Sequence, residues 1–153
     1  MKSWVVIPLL TSILMVGLRF TCTGGELVPT QGPRVEAPYV KLIQPAFLED
    51  YAQKVVSFQA SFYSMQTSTF DLPQEYKDGY VRFMLCSESK PITVSNITAN
   101  SCDNPSINFI IPKSDSDAVF SLKQSDRVAI VAEAIPERKM QRLLFVVKSI
   151  KTP

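Results

Sequence analysis

The sequence predicts a mainly β domain of five principal strands and two short helices, one opening the domain and one lying between the third and fourth strands. Three observations carry this. Apolar and polar residues alternate over residues 55–65, 80–86 and 127–135, the period of a half-buried strand. Residues 107–111 and 143–150 add two further apolar runs, the second apolar on both faces at its start. Helical signals are confined to two short windows, and the joints between windows carry Pro73, Asp78-Gly79, Pro112 and Pro136, residues that end strands or make turns.

The chain has 153 residues, 46% hydrophobic and 20% charged, with 16 basic and 14 acidic side chains. That length suits one domain. The composition is not that of a disordered chain. There is no histidine, which excludes a Ser-His-Asp or Cys-His catalytic site, a histidine metal site and a histidine pH switch. Two of the basic residues, Lys2 and Arg19, lie in residues 1–21 with no acid beside them, so residues 22–153 carry 14 basic and 14 acidic side chains. A balanced charge argues against nucleic acid, whose binding surfaces are basic.

Residues 1–21 read as an export signal. Lys2 supplies a positive start, and Ser3 to Leu18 is uncharged and almost wholly apolar. The stretch is long for a signal core and short for a membrane span of roughly 20 residues, so a cleaved signal and a retained anchor are both compatible with it. Cys22 follows at once and resembles the lipid acceptor of a bacterial lipoprotein signal, although Arg19-Phe20-Thr21 departs from the usual residues before it. Residues 22–38 hold Pro29, Pro33 and Pro38 with nearby glycines, a composition that predicts a flexible tether. The domain is then expected over residues 39–153. Cys86 and Cys102 remain as an even pair, which favours a disulfide in an oxidising compartment.

Within the domain, Pro45 with Glu49 and Asp50 after it predicts a short helix over residues 45–53, with Phe47, Leu48 and Tyr51 on one face. The first strand turns Val56, Phe58, Ala60 and Phe62 to one side and Ser57, Gln59, Ser61 and Tyr63 to the other. A polar connection over residues 66–79 leads to the second strand, with Val81, Phe83 and Leu85 inward and Tyr80, Arg82 and Met84 outward. Residues 87–106 read as a long loop with a small strand near Ile92 to Ile97. The third strand, 107–111, stops at Pro112. Ser114 and Asp117 resemble a capping pair for a helix through Leu122. The fourth strand turns Val128, Ile130, Ala132 and Ala134 to one face, and a charged turn over residues 136–141 leads to the fifth.

A helix between the third and fourth of five strands is similar to the OB-fold, a partly open Greek-key barrel. The run Leu122-Lys123-Gln124-Ser125-Asp126-Arg127-Val128 resembles the Leu-Lys-x-Gly-Asp-x-Val turn that often starts the fourth OB strand. Ser125 stands where that pattern has glycine, at a turn that calls for positive φ. The entry Tyr76-Lys77-Asp78-Gly79 before Tyr80 resembles the second strand of small exported bacterial OB proteins. The resemblance implies an OB-like Greek-key barrel with a ligand face on strands two and three. In this sequence that face would carry Tyr63, Tyr80, Arg82 and Asn108, where an aromatic beside an arginine could stack on a ring. The same residues are also what any outward sheet face contains.

Other candidates are weaker. Arg138, Lys139 and Arg142 cluster in one turn but are diluted by Glu133 and Glu137, which suits a solvated charged hairpin as well as a headgroup or acidic partner. Asp115, Asp117 and Asp126 lack calcium-loop spacing, and no metal site or cofactor is expected. No catalytic residues are expected either. The expectation is therefore a non-enzymatic binding or structural module of the bacterial cell envelope. It would be tethered to the membrane through Cys22 or an anchor and would contact an envelope protein or a glycan, with no nucleic acid bound. A single-stranded nucleic-acid-binding OB protein and a glycan-acting enzyme using carboxylates alone are the alternatives.

Overall fold

The computed structural model describes residues 33–153. The expected signal over residues 1–21, the candidate acceptor Cys22 and the first part of the expected tether lie outside the described residues. The last part of that tether belongs to the folded domain. Strand β1, Arg34–Glu36, pairs in parallel with the start of β2, Val55–Gln66, and Ala37 is buried. Composition flagged the prolines here but could not show that a three-residue strand would find a partner edge.

The remaining strands are β3, Tyr80–Cys86; β4, Pro91–Val94; β5, Ile97–Asn100; β6, Ser106–Pro112; β7, Arg127–Glu137; and β8, Arg142–Lys151. The main sheet runs β1-β2-β3-β6-β8-β7, and β2 pairs again with β7. That last pairing closes five strands into a barrel. Four of its contacts are antiparallel, and β6 with β8 is parallel. This is the OB strand order, with the short helix α4, Asp117–Phe120, between β6 and β7. The fold is an OB-like Greek-key barrel.

The barrel interior follows the two-residue period. Val56, Phe58, Ala60 and Phe62 from β2 and Val128, Ile130, Ala132 and Ala134 from β7 are all buried. They meet Phe83, Phe109 and Phe145, whose rings form a chain, with Phe109 stacked on Phe145 at 5.0 Å. The period slips once on β2, where a bulge at Tyr63 lets Met65, rather than Ser64, pack against the core. The opening helix is in pieces. Short α1, Tyr39–Leu42, precedes a 3-10 turn at Pro45–Phe47 and α2, Leu48–Tyr51. Tyr39 closes that end of the barrel, and its hydroxyl donates to the Leu85 carbonyl at 2.8 Å.

The expected capping pair before α4 is absent: neither Ser114 nor Asp117 caps a backbone N–H. A 3-10 turn, Lys113–Asp115, comes first, and the Ser116 hydroxyl donates back to the Lys113 carbonyl at 2.8 Å. The residues 87–106 hold a hairpin of β4 and β5 rather than one strand. Its turn places Ser95 and Asn96 at φ 49° and 72°. Cys86 and Cys102 are bonded across its base, with Cα atoms 5.4 Å apart.

Candidate functional site: the covered outer face

In the OB-fold, ligands lie on the outer face of the second and third barrel strands, between the loops that join strands one to two and four to five. Here those strands are β3 and β6, and the loops are residues 67–79 and 138–141. Arg82 pairs with Ile110 across this face, on the outer side of the barrel as its alternation predicts. Its exposure is not as predicted. Only 1% of its side chain is accessible, because residues 67–79 fold back over it.

The fastening is ionic and specific. Both terminal nitrogens of Arg82 donate to the Asp71 carboxylate, and its Nε donates to the Ile107 carbonyl at 2.5 Å. Arg142, from the start of β8, reaches the same carboxylate at 2.7 Å and the Asp71 carbonyl at 2.9 Å. Arg142 also donates to Glu137 at 2.5 Å and to the Asn108 side-chain oxygen at 3.3 Å. One carboxylate thus joins two arginines from two strands, and no buried polar side-chain atom among the described residues is left without a partner. The Arg82 guanidinium bonded to Asp71, helped by Arg142, holds the Asp71 carboxyl well below the usual carboxylate range despite partial burial.

An apolar patch lies beside these ions. Leu72 of the loop is buried against Ile110, Leu144 and Val146, which point outward from β6 and β8, with Tyr76, Tyr80 and Ile135 at its edge. Tyr76 sits on α3, Gln74–Lys77, and its ring meets that of Tyr80 edge-on at 5.1 Å.

The expected ligand face is therefore divided. Tyr80, Arg82 and Asn108 are drawn together, but under the chain's own loop. Tyr63 sits at the β2 bulge and turns toward the hairpin, donating to the Asn100 carbonyl at 3.4 Å. Asp71, which organises the face, and its neighbour Phe70 lie in a segment that reads only as a polar connection. The one local signal was an acid flanked by Phe70 and Leu72.

The ion cluster also ties the two rim loops together. Phe70 is 87% exposed next to Asp71. On the other loop, a 3-10 turn at Arg138–Met140, Arg138 and Lys139 are exposed and Met140 is 55% exposed. The rim thus offers an uncovered ring and two cations on segments joined through Asp71 and Arg142. Arg138 is shared with Glu49, 3.2 Å away on α2.

Among the described residues, no group of three or more Cys, Asp or Glu is placed to hold a metal ion, and no helix is long and apolar enough to cross a membrane. Asp126 is occupied locally, accepting from the Lys123 N–H at 2.8 Å.

The sequence matches no family model and no curated protein. Solved structures resemble it at the level of fold. One is a Leishmania major Friedlin protein described as an aspartyl-tRNA synthetase, with TM-score 0.43, 13% identity, and coverage of 85% of this chain and 23% of that one. The chain thus spans about a quarter of that protein's length. Yeast Stn1 and Ten1 give TM-score 0.45 and 14% identity, covering 80% of this chain and 81% of that one. A small single-stranded DNA-binding protein from Streptomyces coelicolor gives TM-score 0.33 and 13% identity, covering 66% of this chain and 94% of that one. The expectation that no nucleic acid is bound is withdrawn as an exclusion, since the solved structures of similar fold include one described as a single-stranded DNA-binding protein. Net charge averages over the whole surface, whereas binding depends on how charges are placed on one rim.

Proposed function

We propose that this chain is a single-stranded nucleic-acid-binding OB module, with its ligand on the rim formed by residues 67–79 and 138–141. The observation that carries the reading is the exposed Phe70 on one rim loop with the exposed Arg138 and Lys139 on the other. An aromatic platform beside cations that track a backbone is the pairing single-strand binders use.

Fluorescence anisotropy with a labelled oligothymidylate at low salt tests it. A complex is expected, with log K falling against log salt by about 0.7 for each phosphate neutralised. Phe70→Ala is expected to weaken it about tenfold, in the range of one lost base stack. No complex at low salt, or equal affinity in Phe70→Ala, would overturn the reading.

A second reading is favoured by the Cys86–Cys102 bond, since disulfides persist in oxidising compartments. It keeps the chain as an exported, non-enzymatic cell-envelope module that uses the same rim on a glycan, a sugar ring replacing the base on Phe70. An oligosaccharide that binds where oligothymidylate does not would select it. Mass spectrometry of the native N-terminus checks export, with cleavage before Cys22 expected.

A further inference from the structure

We infer that Arg82 and Arg142 form a phosphate-binding site which the chain's own Asp71 keeps occupied, so that the Asp71 carboxylate acts as a self-ligand competing with a nucleic-acid phosphate. The inference rests on the proposed function for the identity of the phosphate and on geometry for the site itself. Two guanidinium groups from β3 and β8, the strands on either side of β6, converge on a single carboxylate, each by direct hydrogen bonds. A planar fork of donors fits a phosphate as well as a carboxylate.

The two arginines are rooted differently from the acid. Arg82 is held from behind by the Ile107 carbonyl, and Arg142 by Glu137 and Asn108. These partners belong to the barrel, Ile107 and Asn108 on β6 and Glu137 at the end of β7. Asp71 belongs to a connection whose seat is one buried side chain, Leu72, and the edge of Tyr76. If the loop lifts, the arginines stay in place and present two cations on the face where OB ligands lie. Ser68, whose carbonyl accepts from Arg82 at 3.3 Å, leaves with the loop. A nucleic-acid phosphate entering there takes over the hydrogen bonds of the Asp71 carboxylate, and no covalent bond is made or broken.

The test uses Asp71→Asn in the protein with its disulfide intact, and two probes. Inorganic tripolyphosphate, measured by titration calorimetry, reads the site without nucleic acid. Labelled oligothymidylate reads the function. Losing the competing carboxylate is expected to raise tripolyphosphate affinity about tenfold or more, in line with a charge-assisted hydrogen-bond set released to the ligand. The oligothymidylate salt slope should steepen by about 0.7, one further phosphate. Arg142→Gln placed on Asp71→Asn should remove both gains.

If Asp71→Asn gains nothing on tripolyphosphate, the self-ligand is overturned, whatever oligothymidylate does. If tripolyphosphate gains and oligothymidylate binds neither protein, the site stands and the nucleic-acid reading fails. Should Asp71→Asn not fold, Leu72→Ala keeps every charge and unseats the loop. It is expected to raise tripolyphosphate affinity in the same direction, and an unchanged affinity in a folded Leu72→Ala protein overturns the inference.

Discussion

Phe109 and Ile110 are neighbours on β6, both fully buried, yet they belong to different cores. Phe109 points into the barrel among Tyr39, Phe58, Phe83 and Phe145. Ile110 points outward into the patch under residues 67–79. The inner core is made by strands that close on one another, so every member is held from several sides. The outer core is half strand and half loop, and its lid is fastened by one carboxylate. Inside, stability comes from buried area and ring packing. Outside, the ionic joint at Asp71 adds to the seat of Leu72 on Ile110, Leu144 and Val146.

Breaking the inner core should have the largest effect. Phe109→Ala removes a fully buried ring and leaves a cavity among four others, so a loss of about 3–5 kcal/mol in urea unfolding is expected. All regions should lose protection together. A loss below 1 kcal/mol would mean that the barrel interior is not the common support of both cores.

Next in size is the clamp beside both cores. Cys86 and Cys102, 16 positions apart, join the end of β3 to the segment entering β6. Replacing both with serine should lower stability by about 3 kcal/mol on loop entropy. Protection should fall first in the β4–β5 hairpin, whose apolar Ile92, Val94 and Ile97 are already exposed.

The outer patch should respond less and more locally. Tyr76→Ala loses the edge-on contact with Tyr80 and part of the loop's seat, for about 1–2 kcal/mol. Amide exchange should rise over residues 67–79 while β2 and β7 stay protected. Acid sharpens the same contrast. The Asp71 carboxyl is depressed in the folded protein, so its contribution is complete above the ordinary carboxylate pKa of about 3.9 and is lost as pH falls through the lower folded value. The tyrosine near-UV dichroism from the Tyr76–Tyr80 pair should therefore persist at pH 4 and fade only in stronger acid. If it faded already near pH 4, Asp71 would not be the fastening.

These two cores also differ in how far the sequence displays them. The inner one is local. Alternation on β2 and β7 names Val56, Phe58, Ala60, Phe62, Val128, Ile130, Ala132 and Ala134, and all are buried. The outer one is not local. Asp71 reaches Arg82 at 11 positions and Arg142 at 71, and no period links those residues. Alternation correctly turns Arg82 out of the barrel, but it cannot say that outside is covered. Phe70 is inconspicuous for the same reason, since a polar connection has no pattern from which a projecting ring stands out. The broken opening helix is a case of propensity without room. Pro45 starts a turn as expected, but Leu48 must drop into the core within one turn, and the chain bends to place it.

The smallest effect belongs to the turn that first suggested the fold. Ser125 occupies the glycine position of the pattern and takes φ 75°. Its N–H donates to the Phe62 carbonyl at 2.8 Å, and the Phe62 N–H donates back to the Asp126 carbonyl at 2.8 Å, so the turn is pinned to β2 and cannot relax. The serine hydroxyl gains a bond to Ser89 at 2.9 Å. Two substitutions separate these contributions. Ser125→Ala loses the hydroxyl and keeps the left-handed backbone of a residue with Cβ. Ser125→Gly loses the hydroxyl and the strain together. Glycine should be the more stable of the two by about 1 kcal/mol, the ordinary penalty of this region for other residues. Against the parent protein it should be nearly neutral, because the half-exposed hydroxyl pair contributes about as much as the strain removes. Equal stability of the alanine and glycine proteins in thermal unfolding would show that the pinned turn carries no strain.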